Sequence, residues 1–225
     1  MTDGAVTDGS VTDGPVTQGA RRSLVTRVCA CLALLALVAL LDGCAYTTTT
    51  VTLPKLLQSA PPSGGREVVL VGPFVDARPE RGRCGMKKNG YYGDTADILC
   101  AEDPGAWVAR RLASELRAVG VIVHAAPHGS ALRIEGTLLQ FFTEPQPQAF
   151  TVDLETDIHV VLTATWPGGA VADKELYVKG VESSAAGNDA AFQASVDDAS
   201  THMTRDLLVS VLALLDRTAP SRLAR

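Results

Sequence analysis

The sequence predicts an α+β domain: a two-layer sandwich in which a mostly antiparallel sheet of about five strands carries two helices on one face. Three observations predict it. Phe150 to Trp166 alternates apolar and polar residues along its whole length, the pattern of a strand with one packed and one wet face. Two stretches, one opening at Asp103 and one near Asn188, space their apolar residues by three and four, as helices that lie on a sheet do. The predicted order is strand, helix, strand, three-strand meander, helix, which keeps the helices apart from the main run of strands.

Upstream of that domain the chain reads as an export signal. Residues 2–20 repeat a Gly- and Asp-rich pentad, TDGAV, TDGSV, TDGPV and TQGA, far too short a period for a solenoid unit. Arg21, Arg22 and Arg27 then precede an uncharged apolar run, Val28 to Leu41. As a helix this run is about 21 Å long, short of the roughly 30 Å of a bilayer core. Basic residues, a short apolar run and small residues at a boundary are the parts of a secretory signal. Leu41, Asp42, Gly43 and Cys44 resemble the lipobox of bacterial lipoproteins, which places cleavage between Gly43 and Cys44 and a lipid on the Cys44 sulfur. Asp42 departs from the small uncharged residue usual there. The competing readings are a buried helix or uncleaved anchor, against which the run is apolar all round, and a twin-arginine signal at Arg21 and Arg22.

The expected organisation is therefore 1–43 as extension and signal, 44–65 as acylated cysteine and Pro-rich tether, 66–217 as a single domain and 218–225 as a tail. The whole chain has 225 residues and a net charge of −5; without the first 43 residues, 182 remain, with 17 basic and 21 acidic side chains. Such a mixed, mildly acidic surface gives no electrostatic case for nucleic acid. The tether carries Pro54, Pro61 and Pro62 and would reach on the order of 70 Å if extended, with Val51 to Leu57 packing on the domain as an edge segment.

Within the domain, Glu67 to Asp76 is the first strand, with Gly72 and Pro73 marking a bulge or edge. Arg78 to Ala101 reads as an irregular loop. Asp103 caps a helix with Pro104 in its first turn, an apolar face of Val108, Leu112, Leu116 and Val119, and Gly120 as its stop. Val121 to His124 is a short strand. Ala131 to Phe142 is another, broken by Pro145 and Pro147. Phe150 to Trp166 follows with Phe150, Val152, Leu154, Ile158, Val160, Leu162, Ala164 and Trp166 inward; Pro167, Gly168 and Gly169 turn the chain into a partner strand from Lys174 to Glu182. The last helix, from Asn188 or Asp189 to about Asp216, places Phe192, Val196, Ala199, Met203, Leu207, Val211 and Leu214 on one face.

Chemistry is sparse. Cys29 and Cys31 leave with the signal, so Cys84 and Cys100 are the thiols left beside Cys44. In an oxidising compartment they pair as a structural disulfide; two reduced buried thiols, or a metal or catalytic pair, are the alternatives. Between them Lys87, Lys88, Asn89, Tyr91 and Tyr92 have the mixed composition of a recognition loop, which a solvated loop shares. Asp153, Glu155, Asp157 and His159 alternate on one face, but strand neighbours two apart lie too far from one another for a tight metal shell, so they read as a wet face. His124, His128 and His202 stand isolated. No metal, cofactor or catalytic residue is predicted, since no nucleophile elbow, zinc-protease helix or phosphate loop is present.

The lipobox at Cys44, the VTLP after it, VVLVGPFVDAR leading to KNGYYG, the WVARRLASELRAVGV helix and the GNDAAFQASVDDASTHMTRDLL ending together resemble the YajG-like family of small bacterial lipoproteins. The resemblance covers about 50–217. It implies an outer-membrane-anchored domain facing the periplasm, without family site residues to carry over, related to auxiliary lipoproteins of envelope transport systems. The partners expected are the membrane, through the lipid, and another envelope protein. Two functions follow: a non-enzymatic binding component of the envelope, or an accessory that handles lipid or glycan in transport.

Overall fold

The computed structural model describes residues 46–55, 65–185 and 187–217. The chain divides into two compact units, Met1–Gly43 and Cys44–Arg225, and every described residue belongs to the second. The expectations for the pentad, the signal, Gly43, Cys44 and the tail 218–225 lie outside the described residues.

The fold is the expected α+β sandwich, with a sheet of nine strands rather than about five. Its spine is β7 (Leu132–Pro147), about 50 Å of extended chain. One edge of β7 pairs antiparallel along its full length with β8 (Val152–Thr165), which pairs in turn with β9 (Val171–Ser184). The other edge is shared by three short parallel strands laid end to end: β2 (Glu67–Leu70) against Leu132 to Ile134, β3 (Val75–Asp76) against Thr137 and Leu138, and β4 (Gly85–Lys88) at Thr143. β4 forms a hairpin with β5 (Asp94–Cys100), and β1 (Thr49–Val51) adds beyond β5 in parallel. At the far end of the sheet β6 (Ile122–His124) adds to β2.

The two helices share one face of the sheet. α1 (Pro104–Ala118) is capped by Asp103, whose carboxylate accepts from Ala106 N–H, and it buries Trp107, Val108, Leu112 and Leu116. Val119, expected on that face, lies past the last turn and is exposed. α2 (Asp189–Leu215), capped by Asn188, buries all seven residues expected of its apolar face. It approaches β9 so closely at Gly180 that a Cβ there would lie 2.4 Å from Ala199 N. Under it Thr143, Thr156 and Ser195, all buried, pass hydrogen bonds of 2.8 and 2.7 Å from β7 through β8 to the helix, ending on Gly180 C=O. Their polar atoms satisfy one another, so this seam costs the core little.

Four differences from the sequence reading have physical causes. The expected loop 78–101 contains the β4–β5 hairpin. β7 runs through Pro145 and Pro147: Thr143 N–H points to Cys84 C=O, away from β8, and the two prolines share its parity. Their missing N–H groups fall on an edge that no strand occupies beyond β4, where proline is tolerated. Phe150 lies outside β8 and is exposed, because the chain turns there, with Gln148 N–H bonded to Thr151 C=O. Finally, the sheet begins upstream of Arg66. Leu53 is in the core, Thr52 exchanges hydrogen bonds with the Gln193 side chain, and Pro54 C=O accepts from the Trp107 indole.

Between β3 and β4 the edge of β7 lacks a strand, and a side chain fills the gap. Arg78, 4% exposed, donates through Nη1 to Phe141 C=O (3.3 Å) and Arg83 C=O (3.0 Å), through Nη2 to Arg81 C=O, and grips both oxygens of Asp76 at 3.0 Å. Burial alone would raise the Asp76 carboxyl; the hydrogen bonds and charge of Arg78, helped by Arg81, outweigh it and hold the group below the ordinary carboxylate range.

Two outcomes follow from this clamp. Arg78→Lys, which keeps the charge and loses the fork, is expected to cost about 3 kcal/mol in urea unfolding at neutral pH. Because the folded pKa of Asp76 lies below the unfolded one, its contribution is complete above the unfolded value of about 3.9 and is lost as the pH falls through the folded value. Stability measured from pH 6 downward should therefore fall less steeply in Asp76→Asn than in the parent.

Candidate functional site

The expected recognition loop is the tip of the β4–β5 hairpin, and the structure divides its residues by role. Lys87 is 3% exposed: its ammonium meets Asp189 at 2.7 Å and lies over the Phe192 ring, so it joins the hairpin to the start of α2. Burial pushes the Asp189 carboxyl up, but hydrogen bonds from Lys87 and Thr49 and the Lys87 charge more than offset this and lower it. Lys88 pairs with Glu144 on β7 at 2.6 Å. Neither lysine is available to a partner as a mobile charge. Asn89 builds the turn: its side-chain oxygen accepts from Tyr91 N–H and Gly93 N–H at 2.9 and 3.0 Å, while its backbone bonds Gly93 and Tyr92.

That turn holds two tyrosines out. Tyr91 is 94% exposed and Tyr92 61%, and Tyr92 has φ +63°, a left-handed conformation that costs a bulky residue of order 1 kcal/mol. At the other end of the hairpin Cys84 and Cys100 are joined, with Cα atoms 5.5 Å apart. The bridge ties the base of the hairpin while Lys87 and Lys88 tie its middle, so the tip projects from a braced support.

The register brings further aromatic residues to the same end. β4 and β7 run in parallel, with Gly85 opposite Thr143, so the hairpin tip and the β7–β8 turn leave the sheet together. Phe150, 95% exposed, sits on that turn. β1 lies parallel to β5 and runs away from the tip, so the chain enters the sheet from this end too, past Tyr46, which is 62% exposed. Three of the four tyrosines of the chain and one phenylalanine thus stand in solvent at one end of the sheet. The sequence reading found Tyr91 and Tyr92 but missed Tyr46 and Phe150, because only the strand register shows that three separate segments end together.

The opposite end carries a different group. Glu67 opens β2, His124 closes β6, and the loop after β6 folds back so that the His128 ring stacks on His124 with centroids 3.9 Å apart. Glu67 Oε2 lies 3.3 Å from His124 Nε2 and 3.8 Å from His128 Nε2. Among the described residues these are the side chains grouped as metal donors, within 4.8 Å of one another. His124 and His128, read from sequence as isolated, are therefore brought together, while His202 is apart from them with Asp198 as its neighbour. Rings stacked at 15° direct their nitrogens in parallel, so joint ligation by both requires one ring to turn. The acidic stripe on β8 is paired across to β9 instead: Asp153 with Ser183, Glu155 with Lys179, Asp157 with Tyr177 and His159 with Glu175, as a solvated sheet face should be. Asp157, by accepting from the Tyr177 hydroxyl, raises the pKa of that phenol.

No family model matches the sequence, and no curated protein does either. Solved structures share the fold. Protein XCC0632 from Xanthomonas campestris aligns with 74% of this chain and 95% of its own, at 13% identity and TM-score 0.54. An uncharacterized protein aligns with 73% of this chain and 99% of its own, at 12% identity and TM-score 0.47. The hypothetical protein CT253 from Chlamydia trachomatis covers 68% of this chain and 99% of its own, at 9% identity and TM-score 0.41. Among the described residues no helix is long and apolar enough to cross a membrane.

Replacing Tyr92 by Gly removes the left-handed strain, and the variant should gain about 1 kcal/mol in urea unfolding. A loss of stability would mean that the Tyr92 ring packs on the domain instead of standing out from it.

Proposed function

We propose that this chain is an outer-membrane lipoprotein, cleaved between Gly43 and Cys44, held by acyl chains on Cys44 and facing the periplasm. Its domain acts as a non-enzymatic binding component of the envelope, and its contact surface is the aromatic end. The observation that carries this reading is the convergence of Tyr46, Tyr91, Tyr92 and Phe150 at the end where the chain enters the sheet. Exposed rings on a braced turn favour contact, since they offer large amphipathic area at little cost in conformational entropy. The resemblance to YajG-like lipoproteins points the same way.

A second reading, an auxiliary lipoprotein of an envelope lipid or glycan transport system, is favoured by an open groove of about 450 Å³ between α1 and the β2–β6 edge. Leu70, Ala109, Ala113 and Val123 make its walls apolar, and Arg110 and Arg117 stand at its sides. Filling the groove with Ala109→Trp abolishes function under the second reading and spares it under the first.

Labelled palmitate should enter the parent protein and not Cys44→Ser, and the variant should leave the membrane fraction. A photoreactive residue placed at 91 or 150 in cells should give adducts, whereas one at 177, in the middle of β9, should not. Equal labelling at all three positions would remove the aromatic end as the contact surface.

A further inference from the structure

The distance from Cys44 to the first strand decides what the aromatic end meets. Thr49 opens β1 five residues after Cys44, at most about 18 Å of extended chain, and Tyr46 is two residues away, about 7 Å. Thr49 itself is held by a 2.7 Å hydrogen bond from its hydroxyl to Asp189, and Thr52 by Gln193, so β1 does not peel off to lengthen the leash. Acyl chains on Cys44 would therefore hold this end of the sheet against the headgroups.

Resting on the anchored reading above, we infer that the end bearing Tyr46, Tyr91, Tyr92 and Phe150 is a membrane-seating surface. Its rings lie in the headgroup and glycerol layer of the leaflet that holds the Cys44 lipid and stand the sheet upright on it. Tyrosine is enriched in that layer because its ring is apolar and its hydroxyl stays hydrated. The four rings come from three separate segments and point out from loop tips, an arrangement that fits penetration into a soft interface. The contact is aromatic in character, since Lys87 and Lys88, the cations of the hairpin, are paired with Asp189 and Glu144. It therefore differs from a polybasic patch, which salt would screen. With the aromatic end seated, the groove and the Glu67–His124–His128 group sit at the opposite end of β2 and β7, about 50 Å away along the strands.

The unit Cys44–Arg225 contains the whole described core, and with Cys84 and Cys100 bonded to each other its one reactive thiol is Cys44. That unit is coupled through Cys44 to a maleimide phosphatidylethanolamine in vesicles of phosphatidylethanolamine and phosphatidylglycerol, with and without dibrominated phosphatidylcholine. Reporters are Tyr91→Trp, Phe150→Trp and, as control, Tyr177→Trp; the native Trp107 and Trp166 are buried and form a common background. The inference expects emission from 91 and 150 to move to the blue and to be quenched about twofold by bromine, as for rings at interfacial depth. Quenching should hold from roughly 0.1 to 1 M salt, and position 177 should be unaffected. Quenching at 91 and 150 no greater than at 177, or quenching abolished by salt, would overturn it. Because the tether is made chemically, that failure is separate from failure of the anchor, which the palmitate experiment reads.

Discussion

A strand has two edges, and a long strand within a sheet must have both satisfied. In this domain the strand is β7, and the difficulty is its edge away from β8, which no single segment is long enough to cover. β2, β3 and β4 cover it in turn, and the chain between them must leave and rejoin the sheet without stranding the backbone of β7. Ala77 N–H takes Leu138 C=O, Cys84 C=O takes Thr143 N–H, and the Arg78 guanidinium supplies the donor that a missing strand would have supplied to Phe141 C=O. A buried arginine is costly unless all its donors are used, and here Asp76 and two further carbonyls complete the set. The clamp thus decides where β4 starts, and with it the direction in which the hairpin leaves.

From that point the placement of the aromatic end is mechanical. The disulfide sits at the base of the hairpin, the two lysine pairs along it, and the Asn89 turn at its tip. Each removes one way for the tip to swing. The β7–β8 turn leaves beside it because both strands run the same way, and β1 enters beside both because it is parallel to the returning arm of the hairpin. The left-handed Tyr92 costs free energy that glycine would not, at a position where nothing in the fold requires a ring. Strain retained on an exposed loop points to selection for what the side chain does outside the domain.

The parts of this fold that were legible in the sequence are those with a long period. β8 with its alternating faces, β9 after the Pro-Gly-Gly turn, and α2 with its seven buried positions were all readable, because their burial is one-sided over many residues. The hairpin was not. Gly85, Met86 and Lys87 are all buried, so β4 does not alternate, and Lys87 is inside only because Asp189 and Phe192 arrive from the far end of the chain. Such pairing over 102 positions leaves no local signal. The prolines of β7 misled for the opposite reason: proline is a local signal, and its meaning depends on which edge lacks a partner. Thr156 was hidden among the apolar positions of β8 because its hydroxyl is satisfied by residues on β7 and α2. For the candidate site, composition marked Tyr91 and Tyr92, but Tyr46 and Phe150 join them only through register. Likewise Glu67, His124 and His128 meet only because β2 and β6 are neighbours and the following loop doubles back.

The short approach to β1 changes what an anchor on Cys44 would do. A tether running to Arg66 would leave the domain free to tumble tens of ångströms from its lipid, and its surfaces would be presented in every direction. With Thr49 already in the sheet, the anchor and the domain share one orientation, and the ends of the sheet become unequal: one lies against the attachment point and the other about 50 Å out along β7. The long paired flank of β9, with its charged cross-strand pairs, suits a side wall that stays in solvent and resists edge-to-edge association. What remains to meet a partner away from the membrane is the outer end, where β6 is an edge strand beside the groove under α1. Polarity of this kind needs no hinge and no ligand. It follows from the five residues between Cys44 and Thr49 and from the direction of a three-residue strand.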